Sequence, residues 1–171
     1  MNLQSDWGYI LEVAERRLKY NKTPRHIASE KGRLEIIGAA GEVAARRFLG
    51  LPERLHNHFD GGVDLNWRGY RIDVKSTAIS HYLGKQYLQY PEYRWIKSDL
   101  LLMMGIDLDR HEATVIGFAW KDEVKRAPVN YERMIPCHEI PVPSLHHPWE
   151  LYLLHDRSTA QVPSRPQAQT H

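Results

Sequence analysis

Two short alternating segments meet at Arg68-Gly69, and their pattern fixes a register. Before the pair, Val63, Leu65 and Trp67 alternate with Asp64 and Asn66; after it, Tyr70, Ile72 and Val74 alternate with Arg71, Asp73 and Lys75. A period of two on both sides of a glycine-containing turn predicts a β-hairpin. With Arg68 and Gly69 as the turn, Trp67 faces Tyr70, Leu65 faces Ile72, Val63 faces Val74, and Asp64 falls opposite Asp73. A slip of one residue would set apolar against polar along the whole ladder. Arginine is disfavoured at a positive-φ turn position, so a glycine bulge that shifts the local pairing by one is the alternative.

In the selected register two carboxylates lie across from each other, with Cβ atoms about 4.5–5.5 Å apart and Lys75 beside them on the same polar face. Like charges so placed destabilise a hairpin. A divalent cation reverses the sign, because Mg²⁺ takes carboxylate oxygens while keeping several waters that a phosphate can displace. The plain alternative is a solvent-facing hairpin on which Asp and Lys side chains pair with each other.

Upstream the periodicity is helical. Trp7, Ile10, Leu11, Ala14 and Leu18 recur at helical spacing, followed by a break at Asn21 to Pro24. A second helix is predicted from Ser29 to Leu49, with Gly50 in the C-cap position and Pro52 just beyond. Downstream, Asp99 to Ile106 and Ala113 to Trp120 read as strands, the first apolar on both faces and therefore central in a sheet. Further strands are predicted at Tyr131 to Cys137, within a proline-rich stretch, and at Trp149 to His155. The tail from Arg157 is poor in apolar residues and is expected to be disordered.

The 171 residues suit one domain, here 1–156, and 42% apolar with 26% charged residues is ordinary globular composition. The apolar run from Leu100 to Ile106 is too short to span a membrane and the N-terminus lacks a secretory pattern, so the expectation is a cytoplasmic protein without a membrane partner. Cys137 is the one cysteine, expected to be buried and inert. Net charge is +2 but unevenly spread: residues 1–50 carry nine basic against six acidic side chains, and residues 101–156 five against nine. Such asymmetry can orient a polyanion, as weakly as any solvated surface.

A helix bearing Gly41-Glu42, then Gly61-Gly62-Val63-Asp64, then nine residues on Asp73-Val74-Lys75, then further strands, resembles the PD-(D/E)XK nuclease superfamily over about residues 30–120. Val63 stands where the proline that gives the family its name would be. The resemblance implies an α/β, restriction-endonuclease-like core: a mixed central β-sheet flanked by helices, with a three-stranded meander carrying the motif and an N-terminal helical segment here. It implies a Mg²⁺-dependent nuclease, with Mn²⁺ able to substitute, that hydrolyses phosphodiester bonds, in DNA before RNA, as an endonuclease that can be structure-specific and acts alone, as a homodimer or within an assembly. It further implies that Asp64, Asp73 and the Val74 carbonyl hold the metal. Lys75 then positions or helps deprotonate the attacking water. Glu42 is the helical acid, contacting the metal directly or through water, with Glu35, seven residues earlier on nearly the same face, as its rival.

Nucleic-acid contacts are expected from Lys97, Lys85 and Arg94. These belong to a segment, His81 to Lys97, that interleaves Tyr82, Tyr87, Tyr90, Tyr93 and Trp95 with cations and reads as a substrate-contacting loop or an aromatic edge strand. His56-x-His58 and His146-His147 lack spaced partner ligands for zinc. The alternatives are a non-catalytic nucleic-acid-binding or assembly protein that retains the fold, an RNA-directed nuclease, and a histidine-metal hydrolase. Base specificity is not legible, since no target-reading motif can be picked out.

Overall fold

The computed structural model describes residues 1–20, 30–52, 62–79 and 87–158. The break at 21–24, His56, His58, Lys85 and the tail from residue 159 lie outside the described residues. Helix α1, Trp7–Tyr20, buries Ile10, Val13, Ala14 and Leu18 on one face. Helix α2, Glu30–Phe48, ends where the glycine predicts: Gly50 has φ +67°, its amide donates to the Arg47 carbonyl at 3.2 Å, and the Leu51 amide donates to Arg46 at 2.8 Å. Those two bonds are the Schellman pair that satisfies a helix's last carbonyls.

Strands β1, Leu65–Trp67, and β2, Tyr70–Ala78, form the hairpin. Leu65 pairs with Ile72, Asn66 with Arg71 and Trp67 with Tyr70, as the alternation requires. Arg68 and Gly69 both adopt positive φ, +47° and +77°. The arginine holds this unfavoured conformation with help from contacts of its own. Its guanidinium lies 4.6 Å from the Trp67 ring centroid and donates to the Tyr152 and Leu154 carbonyls at 3.3 and 3.1 Å.

Strand β3, Tyr87–Pro91, leaves this sheet, and β4, Leu100–Asp107, returns to lie parallel to β2. Strand β5, Glu112–Trp120, pairs antiparallel with β4, giving a mixed four-stranded sheet in the order β1-β2-β4-β5. β4 is central as predicted, but the meander is not formed. A parallel neighbour needs a crossover, and β3 lies on the connection between β2 and β4. The remaining strands β6, Val129–Asn130, and β7, Cys137–Pro141, build a second antiparallel sheet, β3-β7-β6. Between β5 and β6 runs a short helix α3, Lys121–Arg126.

Two expected strands are corrected. The segment predicted at Tyr131 to Cys137 is turn and loop as far as Pro136, and the strand begins at Cys137. β7 is bonded on both edges, which a run containing Pro136 could not supply with amides. Trp149 to His155 is not a strand either: Pro148–Leu153 is a 3-10 helix, opened by Pro148 and capped by the Glu150 carboxylate, which accepts from the His147 amide at 2.9 Å. Arg157, placed in the tail by composition, is held: its amide donates to the Arg68 carbonyl and its guanidinium lies 4.1 Å from the Tyr70 ring centroid.

The central sheet separates two cores. Leu100, Leu102, Met104 and Ile106 pack with α1 and α2, whereas Leu101 and Met103 pack with Leu88, Tyr90, Ile140 and Val124 of the second sheet and α3. Cys137 is buried. Among the described residues no helix is long and apolar enough to cross a membrane.

His146 ties the second layer to the first. Its ring stacks on Phe118, Nε2 lies 2.8 Å from Glu123 and Nδ1 3.3 Å from Glu150. The Glu123 bond raises its pKa against the opposing effect of burial. A raised histidine stabilises the fold fully below the unfolded pKa of about 6.5 and loses that contribution as pH climbs through the folded value. The expected result is a wild-type melting temperature that falls more steeply above pH 6.5 than that of His146→Gln. NMR titration should place the His146 midpoint above 6.5.

Candidate active site at the open edge of β2

β1 begins at Leu65, opposite Ile72, so among the described residues no strand of that side pairs with β2 from Asp73 onward. In a regular ladder Asp64 would sit opposite Asp73 as a non-hydrogen-bonded pair, its amide turned away from β2, and the Val74 amide would bond the backbone of Val63. Neither happens. The Asp64 amide donates to the Ile72 carbonyl at 2.9 Å, and the Asp64 Oδ2 accepts the Val74 amide at 2.6 Å. A side-chain oxygen thus takes the place of a backbone acceptor. This corrects the expected pairs Asp64 with Asp73 and Val63 with Val74. In an extended residue the amide and carbonyl point to the same edge. The Val74 carbonyl therefore faces the side on which the Asp64 carboxylate lies.

Asp73 and Lys75 alternate onto the face of β2 away from α2. Their side chains meet, Lys75 Nζ lying 2.8 Å from Asp73 Oδ1, with Asp73 almost wholly buried and Lys75 one-third exposed. The ammonium also lies 5.3 Å from the Tyr90 ring centroid. Burial, together with the charge of Asp73, raises the Tyr90 pKa, and Arg94 opposes the rise. Tyr90, one of the aromatic residues of the 81–97 segment, thereby joins Asp73, Lys75 and Arg94 in one neighbourhood. Lys97 is exposed on the turn into β4. Asp99, next along, is committed to Arg71 through bonds of 2.9 Å from both the amide and the guanidinium.

From the other side α2 brings Glu42. Both of its oxygens accept from the Arg17 guanidinium at 2.7 Å, a bidentate pair linking α1 to α2. Burial lowers the Arg17 pKa, but the Glu42 bond and charge outweigh it and leave the pKa raised, with smaller contributions from Glu35 and Asp64. Sequence periodicity could not find Arg17, because nothing local specifies how two helices align. Glu35 feels Arg17 and Glu42, and its carboxyl is raised chiefly by burial. The Asp64 carboxyl is raised to about 8 by burial, then by the charges of Glu42 and Asp73, against the Val74 bond and Lys75. Of the two α2 acids, Glu42 is the one whose charge bears on Asp64.

Three carboxylates therefore act on one another at the β2 edge, with Lys75 and Arg17 as their cations. Among the described residues, no three His, Cys, Asp or Glu side chains are already drawn together as a metal cage. The donor set still fits Mg²⁺, which is held by one or two carboxylates and retains water elsewhere. Asp64 and Asp73 are the carboxylates that could hold it, and the half-buried Asp64 carboxyl is the one that a second positive charge would most favour.

A consequence follows for the metal-free protein. An acid raised from 3.8 to about 8 contributes full stability below its unfolded pKa and loses it as pH rises towards about 8. Asp64→Asn keeps an acceptor for the Val74 amide and removes the charge. In EDTA at pH 8 the variant should melt at a higher temperature than the wild type, and the two curves should converge near pH 4.

No protein-family model, no curated protein and no solved structure matches this chain.

Proposed function

We propose that this protein is a divalent-metal-dependent nuclease with a core of the restriction-endonuclease-like kind, hydrolysing phosphodiester bonds in DNA. The observation that carries the reading is Asp64: a half-buried carboxylate, one residue before β1, that accepts the Val74 amide and is disfavoured in its charged form by desolvation and by the charges of Glu42 and Asp73. Glu42 and Asp73 each have a cation partner, whereas among the described residues the Asp64 carboxylate is bonded only to the Val74 amide, and a perturbed carboxylate beside a lysine marks a site of chemistry.

In this reading Asp64, Asp73 and the Val74 carbonyl would hold Mg²⁺ or Mn²⁺, which would supply a water of lowered pKa and positive charge for the phosphoryl oxygens. Lys75, fixed by Asp73 at 2.8 Å, aims its ammonium at the nucleophile or a phosphate oxygen. Asp73 thus holds Lys75 in place. Glu42 sets the field at Asp64 and is itself held by Arg17, which leaves it a positioning rather than a ligating role in this arrangement.

The bidentate Arg17–Glu42 pair favours a second reading, a nucleic-acid-binding protein in which the acid cluster is neutralised and idle. A labelled panel of single-stranded, duplex, flap and four-way-junction DNA with RNA, incubated with Mg²⁺, Mn²⁺ or EDTA, separates the two. Metal-dependent cutting is expected. Binding without cutting in either metal establishes the second reading instead.

A further inference from the structure

The exposed aromatic residues of the turn between β3 and β4 are held by cations from two elements. Trp95 is three-quarters exposed, and its ring centroid lies 5.4 Å from Lys121 Nζ and 4.8 Å from Lys125 Nζ, two residues one helical turn apart on α3. Tyr93 is likewise exposed, with the Arg94 guanidinium 5.7 Å from its ring. Lys97 follows on the same turn. Large exposed rings cost hydration free energy, and neither Trp95 nor Tyr93 belongs to either core. The turn is nevertheless fixed. Ile96 is buried in the second core, the Tyr90 hydroxyl reaches the Trp95 carbonyl at 3.4 Å, and the Arg94 amide donates to the Pro91 carbonyl at 3.1 Å.

The same contacts connect the turn to the candidate active site. From Trp95 the path runs through the Tyr90 hydroxyl to the Tyr90 ring, then to Lys75 and to Asp73. A rigid indole surrounded by amines is the surface on which an unstacked base rests while flanking phosphates meet cations. Duplex DNA hides its base faces in the stack and could use only the amines.

We propose that Tyr93, Trp95, Lys121 and Lys125 form a platform for a single-stranded nucleic acid, with a base stacked on Trp95 and its neighbouring phosphates on the two α3 lysines. That the strand continues towards Asp73 and Lys75 rests on the nuclease reading above; the platform itself does not. α3 supplies two of the platform's cations from a segment 24 residues or more beyond the candidate aromatic loop, which is why the sequence spacing alone did not join them.

The test is fluorescence anisotropy of 5′-fluorescein oligothymidylate, oligouridylate and a DNA duplex of equal length, in EDTA so that nothing is cut. Trp95→Ala should weaken oligothymidylate binding about tenfold, within the range for loss of one base–aromatic stack, and Trp95→Phe should restore most of it. The double variant Lys121→Ala/Lys125→Ala should reduce the slope of log K against log salt by about 1.4, two single-strand phosphate contacts. Arg110→Ala, on the β4–β5 turn, is the control and should leave both unchanged. Equal affinity for oligothymidylate and oligouridylate supports recognition of base and phosphate alone; a strong preference for one would overturn it. Wild-type affinity in Trp95→Ala, or an equal loss on the duplex, overturns the platform. A protein that binds through Trp95 and cuts nothing in Mg²⁺ or Mn²⁺ refutes the nuclease reading and leaves the platform intact; one that cuts yet ignores Trp95 does the reverse.

Discussion

Asp73→Asn is expected to abolish metal-dependent cleavage while leaving the protein at least as stable as the wild type in EDTA. The substitution is isosteric, and it removes one of the two charges that raise the Asp64 carboxyl, so the fold is relieved rather than injured. Activity loses both a metal oxygen and the anion that fixes Lys75 at 2.8 Å. Loss of a group that acts in the transition state reduces the rate by about 10²–10⁴-fold, and two such contributions coupled through one residue are not additive. Lys75→Met should show a similar loss of rate with the opposite effect on stability, since a nearly buried Asp73 then loses its lysine at a cost of about 1–3 kcal/mol. The contrast is the informative result. If both variants lose activity in proportion to their loss of folded protein, the pair is structural; if Asp73→Asn is fully folded and inactive, the pair is chemical. Cleavage rates at saturating Mn²⁺, set beside melting temperatures in EDTA, decide between them.

What was legible in the sequence divides along a physical line. The α2 terminus was readable because Gly50 and Pro52 act on the bonds of their own turn. So was the hairpin as far as Leu65, because alternation and a two-residue turn act over six residues. β4 was identifiable as central from an apolar run that could have no wet face. What failed depended on distant partners. β4 pairs with β2 in parallel, with β3 on the connection between them, and β3 finds β7 some fifty residues later, so neither the second sheet nor the absence of a meander is written locally. The proline-rich stretch misled for a related reason. Pro136 precedes β7 and Pro141 is its last residue, so the prolines mark the strand's limits, not its interior.

The site shows the same division. Asp64, Asp73 and Lys75 were singled out by a motif that lies on one hairpin. How they meet was not, since a register argument treats every residue as part of a regular ladder. Asp64 leaves the ladder and uses its carboxylate where a backbone carbonyl was expected. Glu42 was singled out from its neighbour Gly41, but its bidentate partner Arg17 comes from α1, 25 residues away. Electrostatic complementarity across helices has no periodic signature.

Gly41 is where the fold and the candidate site depend on the same atom, and Gly41→Ala should damage both. α2 lies so close to β2 that a Cβ at Gly41 would stand 1.8 Å from Ser76 Oγ and 2.8 Å from Ser76 Cβ, with Met104 Cβ at 3.5 Å. Rotating the hydroxyl away clears the first contact but not the second, so helix and strand must separate. Overpacking of this kind costs about 1–3 kcal/mol. It outweighs the fraction of a kcal/mol to about 1 kcal/mol that alanine gains over glycine inside a helix, so the sign is destabilising. Ser76 Oγ is buried without a hydrogen-bond partner, and Ser76→Ala alone should be neutral or stabilising for that reason. Ser76→Gly removes both clashing atoms. The double variant Gly41→Ala/Ser76→Gly should therefore be more stable than the sum of its two parts, a coupling of about 0.5–3 kcal/mol by denaturant titration. Activity adds a second readout. Displacing α2 carries Glu42 away from Asp64 while leaving Asp73 and Lys75 in place on β2. Gly41→Ala should then lose rate even at temperatures where it is fully folded, and Ser76→Gly should restore it. Additive stabilities would mean that the helix already has room at this point, and the close approach of α2 would then not be what sets the position of Glu42.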